Sequence, residues 1–341
     1  FFNFSNDWTC NIKIKIMLAN IFINKKILIY GLGLSGNSCL DRLYKISNVN
    51  IFDDNLSLKN HKNKKYFLGK NKILNAKFDY IIISPGIDIK KCILKKYLLK
   101  NQRRIITELD IFYLFYPNNT KITITGTNGK STVCKMIYDI FKTKNFDVRL
   151  VGNIGNPILS VKKVKKKTIF IIEASSYQLE YSKIFRSKYA VILNLSPDHI
   201  ERHKTINKYV KAKFKLLKSQ FKSHLAFVKK DDSLINRELR LNKFNSRIIK
   251  VNTKKIKKFL KNIDNNYFLT ETNKENLSFV IELSKKLNLK NFLLIKTIQN
   301  FKGLKYRQQI IYKKNNLTII NDSKSTSFSS SIGILKSNSN I

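Results

Sequence analysis

Short apolar runs alternate with longer amphipathic stretches along most of the chain. The amphipathic stretches have apolar residues at helical spacing and predict helices near 90–116, at 133–141, within 204–222 and at 276–287. The apolar runs predict buried strands at 26–30, 49–53, 78–83, 121–125, 168–172, 189–193, 224–228 and 248–251. Strands that alternate with helices in this way are typical of an α/β fold with parallel sheets. After Gly303 the pattern changes to a predicted hairpin, with strands at 309–312 and 318–321.

One predicted strand leads directly into a glycine loop and a helix. The loop reads Gly126-Thr127-Asn128-Gly129-Lys130-Ser131-Thr132, and the helix after it has Val133, Met136, Ile137, Ile140 and Phe141 on one face. Such a loop binds phosphates through its backbone N–H groups, a lysine that reaches the β and γ oxygens, and a hydroxyl that ligates Mg²⁺. It is not a strict Walker A motif, because Ile124 and not glycine stands five residues before Gly129. The alternative is an ordinary Gly-Lys-Ser turn before a helix.

A second glycine-rich turn lies near the start of the chain. Gly31-Leu-Gly33-Leu-Ser-Gly36 follows the first predicted strand, and Asp53 stands 22 residues after Gly31. This is the spacing at which an acidic side chain meets a ribose hydroxyl in a Rossmann fold. Ser84-Pro85-Gly86 forms another turn at a strand's carboxyl end. These features predict a nucleotide-type ligand and leave open an NAD-dependent oxidoreductase; a tight turn with a solvated aspartate is the structural alternative.

Length and composition limit the class of protein. The 341 residues are enough for two or three domains, and 43% hydrophobic residues are enough for packed cores. The formal net charge of +44 raises a third possibility, a basic nucleic-acid-binding protein. Because the lysines are spread over every segment, we interpret the charge as a coding bias. Cys10, Cys39, Cys92 and Cys134 have no metal-like spacing and indicate a reducing compartment, and no apolar run is long enough to cross a bilayer.

Several of these segments together resemble the Mur ligases, over residues 26 to about 330. The resemblance rests on Gly31–Gly36, Ser84-Pro-Gly-Ile87, Thr125–Thr132, Gly152-Asn-Ile-Gly155, Glu173-Ala-Ser-Ser-Tyr-Gln-Leu-Glu180, Asp198-His-Ile-Glu-Arg202, Tyr209-Val-Lys-Ala-Lys213, Asn273-Lys-Glu-Asn276 and Asn321-Asp-Ser-Lys324. The form of the phosphate loop is shared by the whole superfamily, which includes folylpolyglutamate synthetases. The segments Gly152–Gly155 and Ser175–Glu180 are similar to those of the member that adds D-glutamate.

The resemblance implies an α/β fold in three parts. These are a Rossmann-like N-terminal domain at 17–109 that binds a UDP-sugar, a central P-loop ATPase-type domain with a parallel sheet at 110–302, and the start of a third α/β domain at 303–341. Residues 1–16 lack a starting methionine, and Met17 is a candidate natural start. We therefore interpret 1–16 as a leader that is not native.

The resemblance also implies an activity. The chain is expected to be an ATP-dependent amide ligase that adds D-glutamate to UDP-N-acetylmuramoyl-L-alanine in the synthesis of peptidoglycan precursors. Such a ligase phosphorylates a carboxylate to an acyl phosphate, which an amine then attacks. ATP and Mg²⁺ at two sites are the expected cofactors, and the two small-molecule substrates are the expected partners. A cytoplasmic monomer that binds no specific nucleic acid and no membrane is expected.

Residue roles follow from the same resemblance. The implied catalytic residues are Lys130 on the phosphates, Glu173 and His199 at a metal pair with Ser131, and Lys213, which matches a lysine that the family carbamylates into an oxygen ligand. The implied ATP-binding residues are Gly126, Thr127, Asn128, Gly129, Lys130, Ser131, Thr132, Asn273, Asn276, Arg307, Asp322 and Lys324. The implied substrate-binding residues are Leu34, Ser35, Asp53, Gly86, Asn153 and Ser175. Taken singly, Glu173 is equally typical of a surface ion pair, His199 of a helix cap and Lys213 of a solvated lysine.

Two departures from the family pattern change the expectations. Gly303-Leu-Lys-Tyr-Arg307 replaces the usual Gly-Leu-Pro-His-Arg, which puts the approach of Arg307 in doubt. The family also continues for roughly a hundred residues, most of a third domain of ordinary size, which binds the incoming D-glutamate. From the sequence we therefore expect a truncated chain that does not complete amide synthesis.

Overall fold

The computed structural model describes residues 20–55, 63–260, 263–268, 270–314 and 317–325. The chain forms two units. Unit 1 comprises the described residues up to Asn119 together with 155–166 and 175–186, and unit 2 comprises 120–154, 167–174 and the described residues from Ser187 onward. The predicted leader at 1–16 and the Ser-rich end at 326–341 lie outside the described residues. The division into three domains stays a prediction.

Strands and helices alternate in both units. In chain order the strands are β1 Lys26–Tyr30, β2 Asn48–Phe52, β3 Tyr80–Ile83, β4 Ile105–Ile106, β5 Lys121–Thr125, β6 Val148–Gly152, β7 Ile169–Glu173, β8 Tyr189–Ile192, β9 Leu225–Lys229, β10 Arg247–Val251, β11 Gln309–Lys314 and β12 Leu317–Asn321. The α-helices are α1 Leu34–Leu43, α2 Lys70–Leu74, α3 Lys95–Lys100, α4 Glu108–Phe115, α5 Lys130–Thr143, α6 Ser176–Glu180, α7 Ile200–His203, α8 Ile206–Lys218, α9 Ser233–Leu241, α10 Lys257–Leu260, α11 Glu271–Lys286 and α12 Asn291–Gln299.

Unit 1 is built on a four-stranded parallel sheet with the strand order β2-β1-β3-β4. In β1, residues 27–30 are all buried, which is typical of an interior strand of a parallel sheet. β1 pairs with β2 on one side and with β3 on the other, so the strand order reverses between β1 and β3. Ligands of open parallel sheets bind at such a switch point, beside the carboxyl ends of the strands.

Unit 2 is built on a six-stranded parallel sheet with the strand order β10-β9-β8-β5-β7-β6. β5 lies between β7 and β8, and all five of its residues are buried. The helix that follows, α5, packs against α11 and α12. Its side chains Val133, Ile137 and Ile140 are fully buried, and each contributes roughly 1.5–3 kcal/mol of hydrophobic stabilisation. This packing fixes the start of α5 directly after the glycine loop.

The parallel α/β fold and the hairpin predicted from the sequence are confirmed, with strand ends that shift by one or two residues. The continuous helical stretch predicted near 90–116 is wrong, because α3 and α4 are separated there by the short strand β4. Ile105 and Ile106 pair with β3, and burying two β-branched residues in the sheet outweighs their local helical pattern. α11 begins before its predicted start because the Thr270 side chain caps it. In the part of the chain that the structure describes, no helix is long and apolar enough to span a bilayer.

Candidate active site

The glycine loop of unit 2 joins the carboxyl end of β5 to the first turn of α5. Gly129 has φ of +83°, and a Cβ at this position would lie 2.0 Å from Asn276 Oδ1. Only glycine fits both the backbone angle and the space. Among the described residues, no side chain caps the N-terminus of α5. The N–H groups of its first turn are therefore available to an anion, as phosphate binding requires.

Asn194, which follows β8, clamps the loop from the neighbouring strand. Its carbonyl oxygen accepts a hydrogen bond from Thr127 N at 2.9 Å, and its Oδ1 accepts one from Asn128 N at 2.9 Å. The amide also donates to the Asn128 carbonyl at 3.2 Å. Asn194 is not among the site residues predicted from the sequence. The available signal was a polar residue shortly after a buried strand, at the edge where β5 also ends.

Lys130 lies over the loop to which it belongs. Its Nζ donates to the carbonyl oxygens of Gly126 at 3.0 Å and Thr127 at 2.7 Å. Burial lowers the pKa of Lys130, Glu173 raises it and Arg307 lowers it. The ammonium group is therefore held at the loop, within electrostatic reach of both an acid and a second cation.

Glu173 ends β7, the strand beside β5. The side chain is 1% exposed, and its Oε1 accepts a hydrogen bond from Asn153 Nδ2 at 2.9 Å. Within the described ranges, Oε2 has no hydrogen-bond partner. The backbones of Gly152 and Glu173 also lie close together, because a Cβ on Gly152 would lie only 2.3 Å from the Glu173 carbonyl oxygen. A buried carboxylate oxygen without a partner carries a large desolvation cost and suits a cation ligand.

Lys213 reaches the same loop from α8. It is 2% exposed, and its Nζ donates to the Gly126 carbonyl at 2.8 Å and to Thr125 Oγ1 at 3.3 Å. Burial lowers the pKa of Lys213 well below its ordinary value, and the positive charge of Lys130 lowers it further. The Nζ also lies 4.7 Å from the centre of the Tyr209 ring. Lys213 is therefore not a solvated lysine, and its environment favours the neutral amine.

His199 follows β8 in a left-handed conformation, with φ of +52°, directly before α7. Its Nε2 lies 3.4 Å from Asp198 Oδ2. Asp198 in turn raises the pKa of both Lys130 and Lys213, so this segment belongs to the same electrostatic cluster. Over the residues that the structure describes, no three His, Cys, Asp or Glu side chains form a metal-binding group by themselves. The metal ligands predicted from the sequence are not limited to these residue types, because they also include the Ser131 hydroxyl and a modified Lys213.

A pocket opens beside the loop, on the side of α11. It is lined by Asn128, Gly129, Ser131, Thr132, Tyr267, Thr272, Asn273, Asn276, Arg307, Gln308, Asp322 and Ser325. The structure thus brings eight of the predicted ATP-binding residues to one cavity: Asn128, Gly129, Ser131, Thr132, Asn273, Asn276, Arg307 and Asp322. Gly126, Thr127 and Lys130 belong to the adjoining loop, and Lys324 is exposed and is not among the lining residues. Sequence analysis missed Tyr267, Thr272, Gln308 and Ser325, which have no motif spacing and come together only by folding.

Several lining residues hold one another in place. The Asn273 amide donates to the Tyr267 carbonyl at 2.8 Å and to Gln308 Oε1 at 2.9 Å. Asp322 Oδ1 accepts a hydrogen bond from Gln308 N at 3.0 Å. Gly303 has φ of +74° and contacts the Tyr267 ring so closely that a Cβ would lie 2.5 Å from it. Asn273 and Asp322 therefore shape the pocket wall, and Arg307 enters it despite the altered residues before it.

The predicted substrate residues of unit 1 lie at the switch point of its sheet. Asp53 Oδ2 accepts a hydrogen bond from Leu32 N at 2.6 Å, so this carboxylate fixes the glycine turn. Leu34 is 81% exposed at the start of α1. Gly86 follows β3 with open space on its Cα, and Ser84 Oγ donates to the Gly31 carbonyl at 2.7 Å. The two turns therefore lie side by side, as their positions after β1 and β3 predict.

Fold and loop together define an α/β protein with a P-loop. The family model of the Mur ligase middle domain matches residues 124–297. UDP-N-acetylmuramoylalanine–D-glutamate ligase of Buchnera aphidicola subsp. Schizaphis graminum is 35% identical over 92% of this chain and 75% of its own length. The protein of the same name from Clostridioides difficile is 30% identical over 92% of this chain and 75% of its own. The chain belongs to the Mur ligase family.

A solved structure agrees at the level of the fold. The MurF ligase from Thermotoga maritima in complex with ADP superimposes with a TM-score of 0.54 at 13% identity, covering 94% of this chain and 73% of that one. At this identity the likeness shows the fold alone. It agrees with the α/β fold with parallel sheets that is predicted from the sequence.

Proposed function

We propose that the chain is an ATP-dependent ligase of the kind that joins D-glutamate to UDP-N-acetylmuramoyl-L-alanine through an acyl phosphate; that the described residues serve the phosphoryl-transfer step and do not by themselves complete the amide bond stays a prediction. The observation that carries the proposal is the loop 126–132, with an uncapped α5 N-terminus and the Lys130 ammonium held above it. The names of the relatives at 30–35% identity supply the substrates. Family membership favours this activity over an NAD-dependent oxidoreductase, which has no need of a triphosphate loop.

Each loop group has a role in phosphoryl transfer. The N–H groups at the start of α5 and the Lys130 ammonium would bind the phosphate oxygens and stabilise the charge that develops on them. Asn194 would keep the loop backbone in place, since it bonds two successive residues of it. The pocket beside Asn276 and Arg307 would take the nucleoside part of ATP.

The residues also fit Mg²⁺. The unpartnered Oε2 of Glu173 and the Ser131 hydroxyl are oxygen donors of the kind that Mg²⁺ prefers. His199, which follows β8 and lies beside Asp198, is a candidate ligand for a second ion. Bound Mg²⁺ would neutralise charge on the phosphates and orient them. Glu173 and Ser131 would hold the ion, with His199 at a second site.

Lys213 would contribute after modification. A neutral amine adds to CO₂, forming an N–C bond and releasing a proton, and the product is a carbamate. Burial favours the neutral amine of Lys213 at this position, because it lowers the pKa well below the ordinary value. The carbamate would present an anionic oxygen in place of a cation.

Unit 1 would bind the UDP-sugar at its glycine turn, through Ser35, Asp53 and Gly86, with Ser175 toward the muramoyl-alanine end. Asn153 keeps the role in substrate binding that the resemblance implies. We further propose that the chain acts as a monomer in the cytoplasm, where its nucleotide substrates are available. Size-exclusion chromatography with light scattering tests the oligomeric state, and a dimer would contradict that part of the proposal.

The test compares wild type with Lys130→Ala, and with Lys135→Ala as a matched control. Lys135 lies one turn further along α5 and pairs with Asp139 at 2.6 Å on the surface. Mg-ATP should stabilise wild type and Lys135→Ala, by about 2.7 kcal/mol at a hundredfold excess over Kd, and should leave Lys130→Ala unchanged. Equal thermal shifts in all three would refute the loop assignment.

Turnover is measured in parallel as ADP release with UDP-N-acetylmuramoyl-L-alanine, ATP and D-glutamate. ADP release that requires the UDP-sugar supports the proposal. Stabilisation by NADH and not by ATP, or turnover with a folylpolyglutamate acceptor in place of the UDP-sugar, would contradict it.

A further inference from the structure

Glu108 is a buried acid in unit 1 that the predicted site does not use. It is the first residue of α4 and is 2% exposed. Its Oε1 accepts a hydrogen bond from Gln178 Nε2 at 2.8 Å. Its Oε2 has no hydrogen-bond partner among the residues that the structure describes. Burial raises the pKa of Glu108, and the side chains of Gln178 and Ser35 lower it.

Asp110, two residues further along α4, shows what a purely structural buried acid looks like here. It is fully buried, and its Oδ1 accepts hydrogen bonds from the backbone N–H groups of Lys183, Ile184 and Phe185 at 2.9–3.0 Å. Its Oδ2 accepts one from Thr107 N at 2.9 Å. Both oxygens of Asp110 are satisfied, by these backbone N–H groups and by the hydroxyls of Ser182 at 2.8 Å and Thr107 at 3.1 Å. Glu108 differs, because its Oε2 has no hydrogen-bond partner among the described residues.

The side chains that Glu108 contacts lead to two predicted substrate residues. Gln178 Oε1 accepts hydrogen bonds from Ser175 N at 3.0 Å and Ser175 Oγ at 3.3 Å, while Gln178 Nε2 donates one to Glu108 Oε1. The Gln178 amide therefore bonds Glu108 through its nitrogen and Ser175 through its oxygen. Ser35, in the first turn of α1, is the other side chain that lowers the pKa of Glu108, so it lies within electrostatic reach of the carboxyl.

We propose that Glu108 is a positioning residue of the UDP-sugar site of unit 1, which sets Ser175 through Gln178 and lies on the side of the site where Ser35 stands. The inference rests on the proposed function, since that function assigns Ser35 and Ser175 to the substrate. Loss of the carboxyl leaves the Gln178 Nε2 buried without an acceptor. The Gln178 amide then turns or shifts, and Ser175 loses the acceptor that fixes its backbone N–H and its hydroxyl. Binding of the UDP-sugar weakens, while the nucleotide loop of unit 2 is untouched.

The experiment is isothermal titration calorimetry on the full chain with UDP-N-acetylmuramoyl-L-alanine and, separately, with Mg-ATP. Glu108→Ala should weaken UDP-sugar binding about tenfold, which corresponds to ~1.4 kcal/mol, with the Kd for Mg-ATP within twofold of wild type. Glu108→Gln, which keeps an oxygen for Gln178 and a polar group toward Ser35, should restore binding to within about threefold. If Glu108→Ala does not fold, Glu108→Met, which fills the space without an acceptor, takes its place.

Asp110→Asn is the matched control. It should lower the melting temperature, because it weakens a buried backbone-binding carboxylate, and should leave the Kd for the UDP-sugar unchanged. Equal weakening in Asp110→Asn and Glu108→Ala, or wild-type affinity in Glu108→Ala, would overturn the positioning role while leaving the proposed function intact. A wild-type chain that binds Mg-ATP but not the UDP-sugar would instead overturn the substrate assignment on which the inference rests.

Discussion

Replacing Gly129 by alanine should disable the phosphate loop for two separable reasons. The residue has φ of +83°, a region that an L-residue with a Cβ adopts at a cost of roughly 1–2 kcal/mol. The new Cβ would also lie 2.0 Å from Asn276 Oδ1 and 2.8 Å from Asn276 Cγ. Asn276 is 2% exposed on α11, so it has little space into which to move. Displacing a buried side chain in this way costs typically 1–3 kcal/mol.

The two costs together predict a loss of about 2–5 kcal/mol. The loss appears in the free energy of unfolding if the loop keeps its conformation, and in the free energy of phosphate binding if the loop changes conformation to relieve the clash. The assay is urea unfolding with and without Mg-ATP for wild type, Gly129→Ala, Asn276→Ala and the double variant. Removing the Asn276 side chain takes away the contact but not the backbone cost. The double-variant cycle should therefore show a favourable coupling of about 1–3 kcal/mol.

Gly69→Ala is the control, because φ there is −66° and a Cβ would meet nothing within 4 Å. Its stability should stay within about 0.5 kcal/mol of wild type. The reasoning is refuted if Gly129→Ala binds Mg-ATP as tightly as wild type with unchanged stability, or if the cycle shows no coupling.

Two further predictions concern stability. Burial lowers the pKa of Lys121 from 10.5 to about 7. Between these two pH values the unfolded chain binds a proton that the folded chain does not, so the free energy of unfolding should rise with pH, by about 2–3 kcal/mol from pH 7 to pH 9. In urea titrations, Lys121→Met should flatten this pH dependence. An unchanged slope would contradict the assignment. Asn265 Nδ2 donates to the carbonyl oxygens of Ile298 at 2.8 Å, in the last turn of α12, and of Phe301 at 3.0 Å, just after that helix. Asn265→Ala should therefore lower the unfolding free energy by about 1–3 kcal/mol, whereas the exposed Asn300→Ala should change it by less than about 0.5 kcal/mol; equal effects would show that the Asn265 contacts do not matter.

The order and type of the elements could be predicted from the sequence because they depend on local periodicity. Buried strands such as β1 and β5 are continuous apolar or β-branched runs, and α5 has an apolar face at helical spacing, so both patterns survive without knowledge of the partners. The glycine loop could also be predicted from the sequence, since Gly129 takes a left-handed conformation next to a helix N-terminus. The break at β4 was not, because it depends on pairing with β3.

Tertiary structure alone decided which side chains meet at the site. Asn194 bonds Asn128 across 66 residues of sequence, and Glu108 bonds Gln178 across 70. Such pairs depend on strand order and register, which bring the carboxyl ends of distant strands to one edge, and no local pattern encodes them. The sequence therefore determined that unit 2 has a phosphate loop and a helix to support it. Folding decided that Lys213 is buried against that loop and that Glu173 keeps an oxygen without a partner among the described residues, because burial is a property of the surrounding chain and not of the residue itself.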